Sequence, residues 1–333
     1  MSGGITYILV LNWNGWRDTL ACLESLLRSG DTAFRIIVWD NGSSDDSAAC
    51  IAAWARGERE VSHDLPVELR DRVLPPVAKP VDLQLLDERE LADATASRIL
   101  VVRGARNLGY AGGNNAMMRW ALGRNDCDAI WILNNDVVVA DDTLASIRAA
   151  HAGDDLDRPI GSWIYHMDTP SQLQVCGGQR LGIGTLVSPR HAKRPQDIDF
   201  LVGASLFLSR ARAQALGGFN EGYFLNAEDL ELTYGYALRF RRQYKTAAPF
   251  LVAGRLWHRE STTQSRNRYL HAYYYTRNVL HAAHRIGPLH GWTTYAHTLA
   301  RLALATLRGR GEARRGIRQG MRAWRAGELG PHP

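Results

Sequence analysis

Ile5-Thr-Tyr-Ile-Leu-Val-Leu-Asn-Trp-Asn-Gly15 begins as a largely apolar run rich in β-branched residues and turns polar at Asn12. Such a run reads as a buried strand. Asn14 and Gly15 then lead into an apolar-periodic helix from Thr19 to Arg28, for which Asn14 is the expected cap. A second strand, Phe34 to Trp39, closes on Asp40 in Asp-Asn-Gly-Ser-Ser-Asp-Asp-Ser, which is turn chemistry followed by another helix start. Strand, helix, strand, helix in this rhythm predicts an α/β fold with a mostly parallel central sheet flanked by helices. Ligands of such sheets bind at the carboxyl ends of the strands, so the polar residues there are the candidates for function.

The rest of the chain fits one large α/β domain with appendages, or two ordinary ones, within its 333 residues. With 45% apolar and 22% charged residues the composition is globular. No apolar run approaches the ~18 residues of a membrane span, and no basic segment precedes the short apolar stretch near Met1, so neither signal peptide nor transmembrane helix is expected. The scattered Cys22, Cys50, Cys127 and Cys176 form no Cys-x-x-Cys pair and suit a reducing compartment, which predicts a cytoplasmic protein. Net charge is +6 and uneven, because residues 301–325 hold eight arginines against the single acid Glu312. A basic tail of this kind contacts anionic lipid or simply keeps a terminal helix soluble; no nucleic-acid module accompanies it, so nucleic acid is not expected as a partner.

Residues 57–98 interrupt the rhythm with interleaved charges around Leu74-Pro75-Pro76 and are read as a surface insertion, helical in part from Asp87 to Ala94. The sheet resumes at Arg98 to Arg103. Next comes Asn107-Leu-Gly-Tyr-Ala-Gly-Gly-Asn-Asn115, a glycine-rich opening to a helix through Leu122 whose N–H groups are expected to face a phosphate. Its spacing is not the Gly-x-Gly-x-x-Gly of a dinucleotide-binding dehydrogenase. A further strand, Ala129 to Leu133, ends in Asn134-Asn135-Asp136. Asp141 and Asp142 already supply a cap for the following helix, leaving Asp136 available. A lone carboxylate suits Mg²⁺ or Mn²⁺, which keep waters and complete their shell with substrate phosphates, while the neighbouring amides suit ribose hydroxyls.

Taken in order, Leu-Asn-Trp-Asn-Gly (11–15), Trp-Asp-Asn-Gly-Ser-Ser-Asp (39–45), the glycine-rich segment at 107–115, Leu-Asn-Asn-Asp (133–136), Gly217-Gly-Phe-Asn-Glu-Gly-Tyr-Phe-Leu-Asn-Ala-Glu-Asp-Leu-Glu-Leu232 and Trp257-His258 resemble the family-2 glycosyltransferases. Among these the set is most similar to the rhamnosyltransferase-like enzymes of bacterial surface polysaccharide assembly. The resemblance covers roughly residues 5–285 and implies a GT-A type nucleotide-diphospho-sugar transferase fold over 1–285. Residues 1–140 would then be the nucleotide-sugar-binding half, residues 141–285 the acceptor and catalytic half, and residues 286–333 a basic amphipathic helical extension.

Residue by residue, the resemblance implies that Asn14, Asp40, Asn107, Gly109, Gly112, Asn134, Asn135 and Asp136 hold the nucleotide sugar, with Asp40 on the base. Asp136 falls on the last acid of the family's metal-binding Asp-x-Asp, from which this chain departs with Asn134. His258 is implied as the second metal contact, Asp229 as the general base and Glu228 as its supporting neighbour, with Glu231 where the family often has Asp. The same residue types also suit blander work: Asp40 a turn, Asn14 and Asn107 caps or turns, the acids at 228–231 a helix N-terminus, His258 packing. Arg259 and the polar stretch Ser261–Arg268 are expected over the phosphates or as a solvated loop. The implied reaction is inverting transfer from a nucleoside-diphosphate sugar, dTDP-rhamnose first, UDP- and GDP-sugars next, to a glycan or polyprenyl-linked saccharide. The basic extension suits peripheral contact at the inner face of the cytoplasmic membrane. Two other classes stay open: a sugar-nucleotidyltransferase, for which an early glycine-rich loop with a basic residue is lacking, and a non-catalytic sugar-nucleotide or glycan-binding protein.

Overall fold

The computed structural model describes residues 4–61, 64–180, 185–186, 190–245, 247–259 and 267–332. The first half alternates as expected: β1 (Ile5–Asn12), α1 (Trp16–Leu27), β2 (Phe34–Asp40), α2 (Ser47–Arg56), a short α3 (Val67–Arg70), β3 (Leu83–Asp87), β4 (Ile99–Arg103), α4 (Gly109–Leu122) and β5 (Cys127–Asn134). β6 (Val137–Val139), α5 (Thr143–Ala152), β7 (Ile160–His166), β8 (Leu173–Val175), β9 (Gly177–Gln179), β10 (Arg190–Ala192), β11 (Ser205–Ser209) and α6 (Arg210–Leu216) follow. The described chain ends with α7 (Glu228–Gln243), β12 (Leu251–His258), α8 (Arg268–Ile286), α9 (Pro288–Leu307) and α10 (Gly311–Arg325).

One sheet runs β3-β4-β2-β1-β5-β11-β7-β12-β6, with β8 on β7. The β3, β4, β2, β1 and β5 pairings are parallel, whereas β11 enters antiparallel between β5 and β7. Both faces are apolar, which explains the unbroken hydrophobic strands. Along β1, Ile8 and Val10 pack with Leu20, Leu23, Trp54 and Ile147 on one side, while Tyr7 and Leu9 pack with Met117, Ala121, Ala237 and Phe240 on the other.

Three expectations need correction. Residues 57–98 are not merely a surface insertion: they supply the edge strand β3, a 3₁₀ turn over Glu88–Asp93, and the buried Val61, Leu65, Leu69 and Val73. The reason is Glu24, fully buried in α1, whose carboxylate is met by Trp54 Nε1 at 2.8 Å, Val77 N–H at 2.8 Å and Lys79 Nζ at 3.1 Å. A buried charge needs such partners, and the insertion brings two of them. The apolar run Phe200-Leu-Val-Gly-Ala-Ser-Leu-Phe-Leu-Ser209 reads as one strand, but the strand begins only at Ser205, because residues 200–204 leave the sheet toward α7, with Leu201 N–H bonded to Thr233 Oγ1 at 3.0 Å. Neither expected cap forms: the side chains of Asn14 and Asp142 make no capping bond, and Asp141 instead pairs with Arg72 at 3.1 Å.

Candidate active site

Parallel pairing aligns the strand ends, with Asn12 of β1 opposite Asp40 of β2, and Leu11 opposite Asn134 of β5. Asn12, which sequence reasoning passed over, is the hub. Its Nδ2 donates to Asp40 Oδ1 at 3.0 Å and its Oδ1 accepts from Thr19 Oγ1 at 2.9 Å and from Asn135 Nδ2 at 3.4 Å. Asp40 is buried, takes a further bond on Oδ1 from Ser43 Oγ, and lies outside the residues lining either cavity described below. Its Oδ1 anchors the β2–α2 turn. Asn14 (φ 51°) extends that turn, its Oδ1 accepting from Ser44 N–H at 2.7 Å.

A cavity of about 640 Å³ opens over these strand ends, lined by Asn14, Asn107, Gly109, Tyr110, Asn135 and Tyr274 among others. Its size and mixed lining suit a small polar ligand with a flat ring. The glycine-rich segment beside it departs from expectation. Leu108 N–H donates to Asn41 Oδ1 at 2.9 Å, Gly109 N–H to Asn107 Oδ1 at 2.8 Å, and Tyr110 N–H to Phe224 O at 2.7 Å, so the start of α4 offers a phosphate none of these three donors. Gly109 (φ +74°) is glycine because a Cβ there would meet Phe224 O at 2.2 Å. A Cβ on Gly112 would stand 2.8 Å from Leu108 Cβ, and Gly112 does not line the cavity. Asn135 is held by Thr19 Oγ1 at 3.0 Å, so its amide builds the loop it borders.

The sequence Phe250-Leu-Val-Ala253 reads as strand-like, but β12 runs on to His258, which pairs opposite Val137 just after the Asn-Asn-Asp break. His258 Nε2 stands 3.3 Å from Asp136 Oδ1 and 3.4 Å from Asn134 Nδ2, while Nδ1 meets Gln174 Oε1 at 3.1 Å. Since the Gln oxygen only accepts, Nδ1 carries a proton, and the ring is oriented with Nε2 beside Asp136. Asp136 Oδ1 is buried with no hydrogen-bond donor among the described residues. An oriented imidazole beside an undonated carboxylate oxygen fits two positions of a divalent-metal shell, with Gln174 as the outer support. No third His, Cys, Asp or Glu joins them among the described residues. The Arg259 guanidinium pairs with Asp18 at 3.3 Å, and residues 260–266 of the expected phosphate loop lie outside the described residues.

A second cavity of about 330 Å³ adjoins the first through Tyr110 and Leu225 and holds Asn134, Gln174, Glu228, Asp229 and His258 together. Asp229 is half-buried, its carboxylate accepting Gly203 N–H at 2.8 Å and its own helix's Leu230 N–H at 2.7 Å. Tyr110 Oη donates to Gly203 O at 2.7 Å, so one peptide links this tyrosine to the acid. Burial raises the Asp229 carboxyl, opposed by the Gly203 and Leu230 amides. Glu228, 5% exposed and with Oε2 unbonded among the described residues, is pushed up to about 8 by burial first and the Asp229 charge second.

The acids sit after a strained turn: Phe224, Asn226 and Ala227 have φ of 59°, 69° and 73°. Positive φ in a non-glycine residue costs roughly 1–3 kcal/mol and persists only where surroundings impose it. Here α8 imposes it. Buried Asn278 donates from Nδ2 to the carbonyls of Tyr223 (2.8 Å), Leu225 (2.8 Å) and Asn226 (3.0 Å), and buried Arg277 donates from Nε to Asn278 Oδ1 at 2.8 Å. That last bond fixes which end of the amide faces the turn. The Arg277-Asn278 pair is thus a clamp on the acidic segment.

The raised Glu228 makes a pH prediction. Between 4.5 and about 8 the folded chain keeps a proton on Glu228 that the unfolded chain has released, so stability falls as pH rises across that window. Glu228→Gln, shaped like the protonated acid, is expected to flatten the decline in melting temperature over that range. An unchanged slope in the variant assigns the titration to another group.

Comparison with known proteins bears on this arrangement. No curated protein sequence matches the chain. The model of the family described as Glycosyl transferase family 2 matches residues 87–193, which include the glycine-rich segment and the Asn-Asn-Asp break but neither Asp229 nor His258. Among solved structures, the mannosyltransferase PcManGT from Pyrobaculum calidifontis, in complex with GDP-Man and Mn²⁺, is similar at 13% identity and a TM-score of 0.52 over 96% of this chain and 86% of that one. GalNAc-T7, with UDP, GalNAc and Mn²⁺, is similar at 12% identity and a TM-score of 0.51, over 84% of this chain and 48% of that longer one. The mainly parallel sheet flanked by helices is therefore the fold of GT-A glycosyltransferases, carried here with His258, which is paired with Asp136, and the Glu228–Asp229 pair lining one cavity.

Proposed function

We propose that the protein is an inverting glycosyltransferase of family 2, moving a sugar from a nucleoside-diphosphate donor to a hydroxyl of a glycan or lipid-linked saccharide. The observation that carries this reading is the shared cavity in which Asp229 faces the same space as His258 and Asn134. The family match over residues 87–193 and the GT-A fold support it, as does the report that both similar enzymes were solved with Mn²⁺. The nucleotide lies in the cavity lined by Asn14, Asn107 and Asn135 with its base toward Tyr274, and the sugar extends past Tyr110 into the smaller cavity.

Asp136 and His258 are the side chains that would hold Mg²⁺ or Mn²⁺, whose charge, once bound with substrate, favours departure of the diphosphate. The chain's own chemistry is proton removal. Asp229, fixed by the Gly203 and Leu230 amides, takes the proton of the acceptor hydroxyl as that oxygen bonds to the anomeric carbon. The carbon–oxygen bond to the diphosphate breaks on the opposite face, its electron pair leaves with the diphosphate, and the configuration inverts. A buried Glu228 that holds its proton near neutral pH spares Asp229 a second adjacent charge. The donor read first is dTDP-rhamnose, on the rhamnosyltransferase-like order of motifs, with UDP- and GDP-sugars as the other choices.

A thermal-shift panel of dTDP-, UDP- and GDP-sugars with Mg²⁺ or Mn²⁺ tests the donor site. At least one sugar nucleotide is expected to stabilise the wild type, by ~3 kcal/mol at a hundredfold excess over its dissociation constant. Asp136→Ala is expected to lose most of that shift. Equal shifts in wild type and Asp136→Ala remove Asp136 from the donor site.

A further inference from the structure

The outward face of α9 is apolar along nearly its whole length. Leu289, Trp292, Ala296, Leu299, Ala300, Ala303, Leu304 and Leu307 are all exposed, Trp292 by 75% and Leu307 by 85%. At 100° per residue these positions share one broad stripe. The opposite side of α9 is already satisfied: Thr294, Thr298 and Ala305 are buried, and Arg301 lies over the Tyr275 ring of α8 at 5.0 Å. The stripe is thus a surplus apolar surface on a helix that is otherwise docked.

What lies beside it is positive. Directly after Leu307 come exposed Arg308 and Arg310, and α10 exposes Arg314, Arg315, Arg318, Arg322 and Arg325, with Glu312 and Glu328 the acids exposed nearby. α10 keeps these arginines outward because its other face is pressed onto α8: a Cβ on Gly316 would stand 2.4 Å from Tyr269 O, and one on Gly320 2.6 Å from Tyr273 O. A water-facing purpose explains the arginines but not the leucines. A protein partner explains the leucines but gives no reason for so lopsided a charge. A bilayer surface bearing anionic headgroups explains both, since apolar side chains enter the acyl boundary while arginines stay at phosphate level. No described helix is long and apolar enough to cross a membrane, which fits an in-plane contact.

We propose that α9 and α10 form a docking surface for the face of an anionic lipid bilayer, with the Leu289–Leu307 stripe inserted and the α10 arginines on the headgroups. Because α8 carries the Asn278 clamp at one place and this pair of helices at another, docking sets the orientation of the acidic cavity relative to the membrane. The contact does not depend on which reaction the cavity performs.

The test is flotation of the full chain, without donor, with vesicles of phosphatidylcholine alone and of phosphatidylcholine containing phosphatidylglycerol. Binding is expected to the anionic vesicles, weakened by salt and at least about tenfold lower on neutral ones. Leu299→Glu with Leu307→Glu, both exposed and outside the core, is expected to cut binding at least about tenfold with an unchanged circular dichroism spectrum. Arg314→Glu with Arg318→Glu tests the charge half separately and is expected to abolish the preference for anionic vesicles. Equal weak recovery with both vesicles overturns the proposal. So does a dimer in solution that the Leu299→Glu and Leu307→Glu pair dissociates, because the stripe then belongs to a second copy of the chain.

Discussion

Asp229→Asn is expected to lower the rate of sugar transfer about 10²–10⁴-fold while leaving donor binding close to that of the wild type. The change is nearly isosteric, and an Asn side-chain oxygen can still accept the Gly203 N–H bond of 2.8 Å that seats the side chain. What is lost is the basic lone pair. Steady-state rates with donor saturating, set beside donor affinity by thermal shift, separate the two effects. A variant that transfers within a few-fold of the wild type takes Asp229 out of the role of base and leaves it as the anchor of residues 200–204.

The second large effect is expected at Asn278, which lines neither cavity itself. Asn278→Ala removes three hydrogen bonds, one buried and two part-buried, that hold the Tyr223, Leu225 and Asn226 carbonyls, a loss of about 3 kcal/mol at ~1 kcal/mol each. The strain stored at Phe224, Asn226 and Ala227 then has less to oppose it, and the turn relaxes. Since Glu228 and Asp229 follow that turn directly, kcat is expected to fall about 10²-fold, with the Michaelis constant for donor nearly unchanged. Asn278→Asp sharpens the test: an oxygen would replace the nitrogen that donates to three carbonyls, so this conservative change is expected to be at least as damaging as alanine. Wild-type melting and kcat in the Asp variant would contradict the clamp.

Much of this was legible in the chain itself, and the parts that were not have physical reasons. The alternation from Ile5 through Leu133 predicted a parallel sheet because both faces of the strands are buried, and the resulting apolar runs are hard to misread. The pairing of Asp136 with His258 was reachable only through resemblance, since they are 122 positions apart and meet through the antiparallel β6–β12 contact. The glycine-rich segment misled in the opposite direction. Its glycines are spacing devices against Phe224, Leu108 and Leu11, and the start of α4 is consumed by Asn41, Asn107 and the Phe224 carbonyl. Asn12 and Asn41 gave no local signal, because a buried polar residue looks in sequence like any other until the partners that pay for its burial are known. Residues 57–98 read as surface for the same reason: their charges are visible, whereas the buried Glu24 that one of them neutralises is not.

The most direct measurement is nucleoside-diphosphate release from a panel of dTDP-, UDP- and GDP-sugars with Mg²⁺ or Mn²⁺ and a saccharide acceptor, comparing wild type with Asp229→Asn and Asp136→Ala. Turnover of one donor class by the wild type, lost in both variants while Asp229→Asn still binds that donor, is the predicted result. A donor that binds the wild type yet releases no diphosphate under any pairing of metal and acceptor, or release that survives both substitutions, would contradict a transferase centred on this cavity.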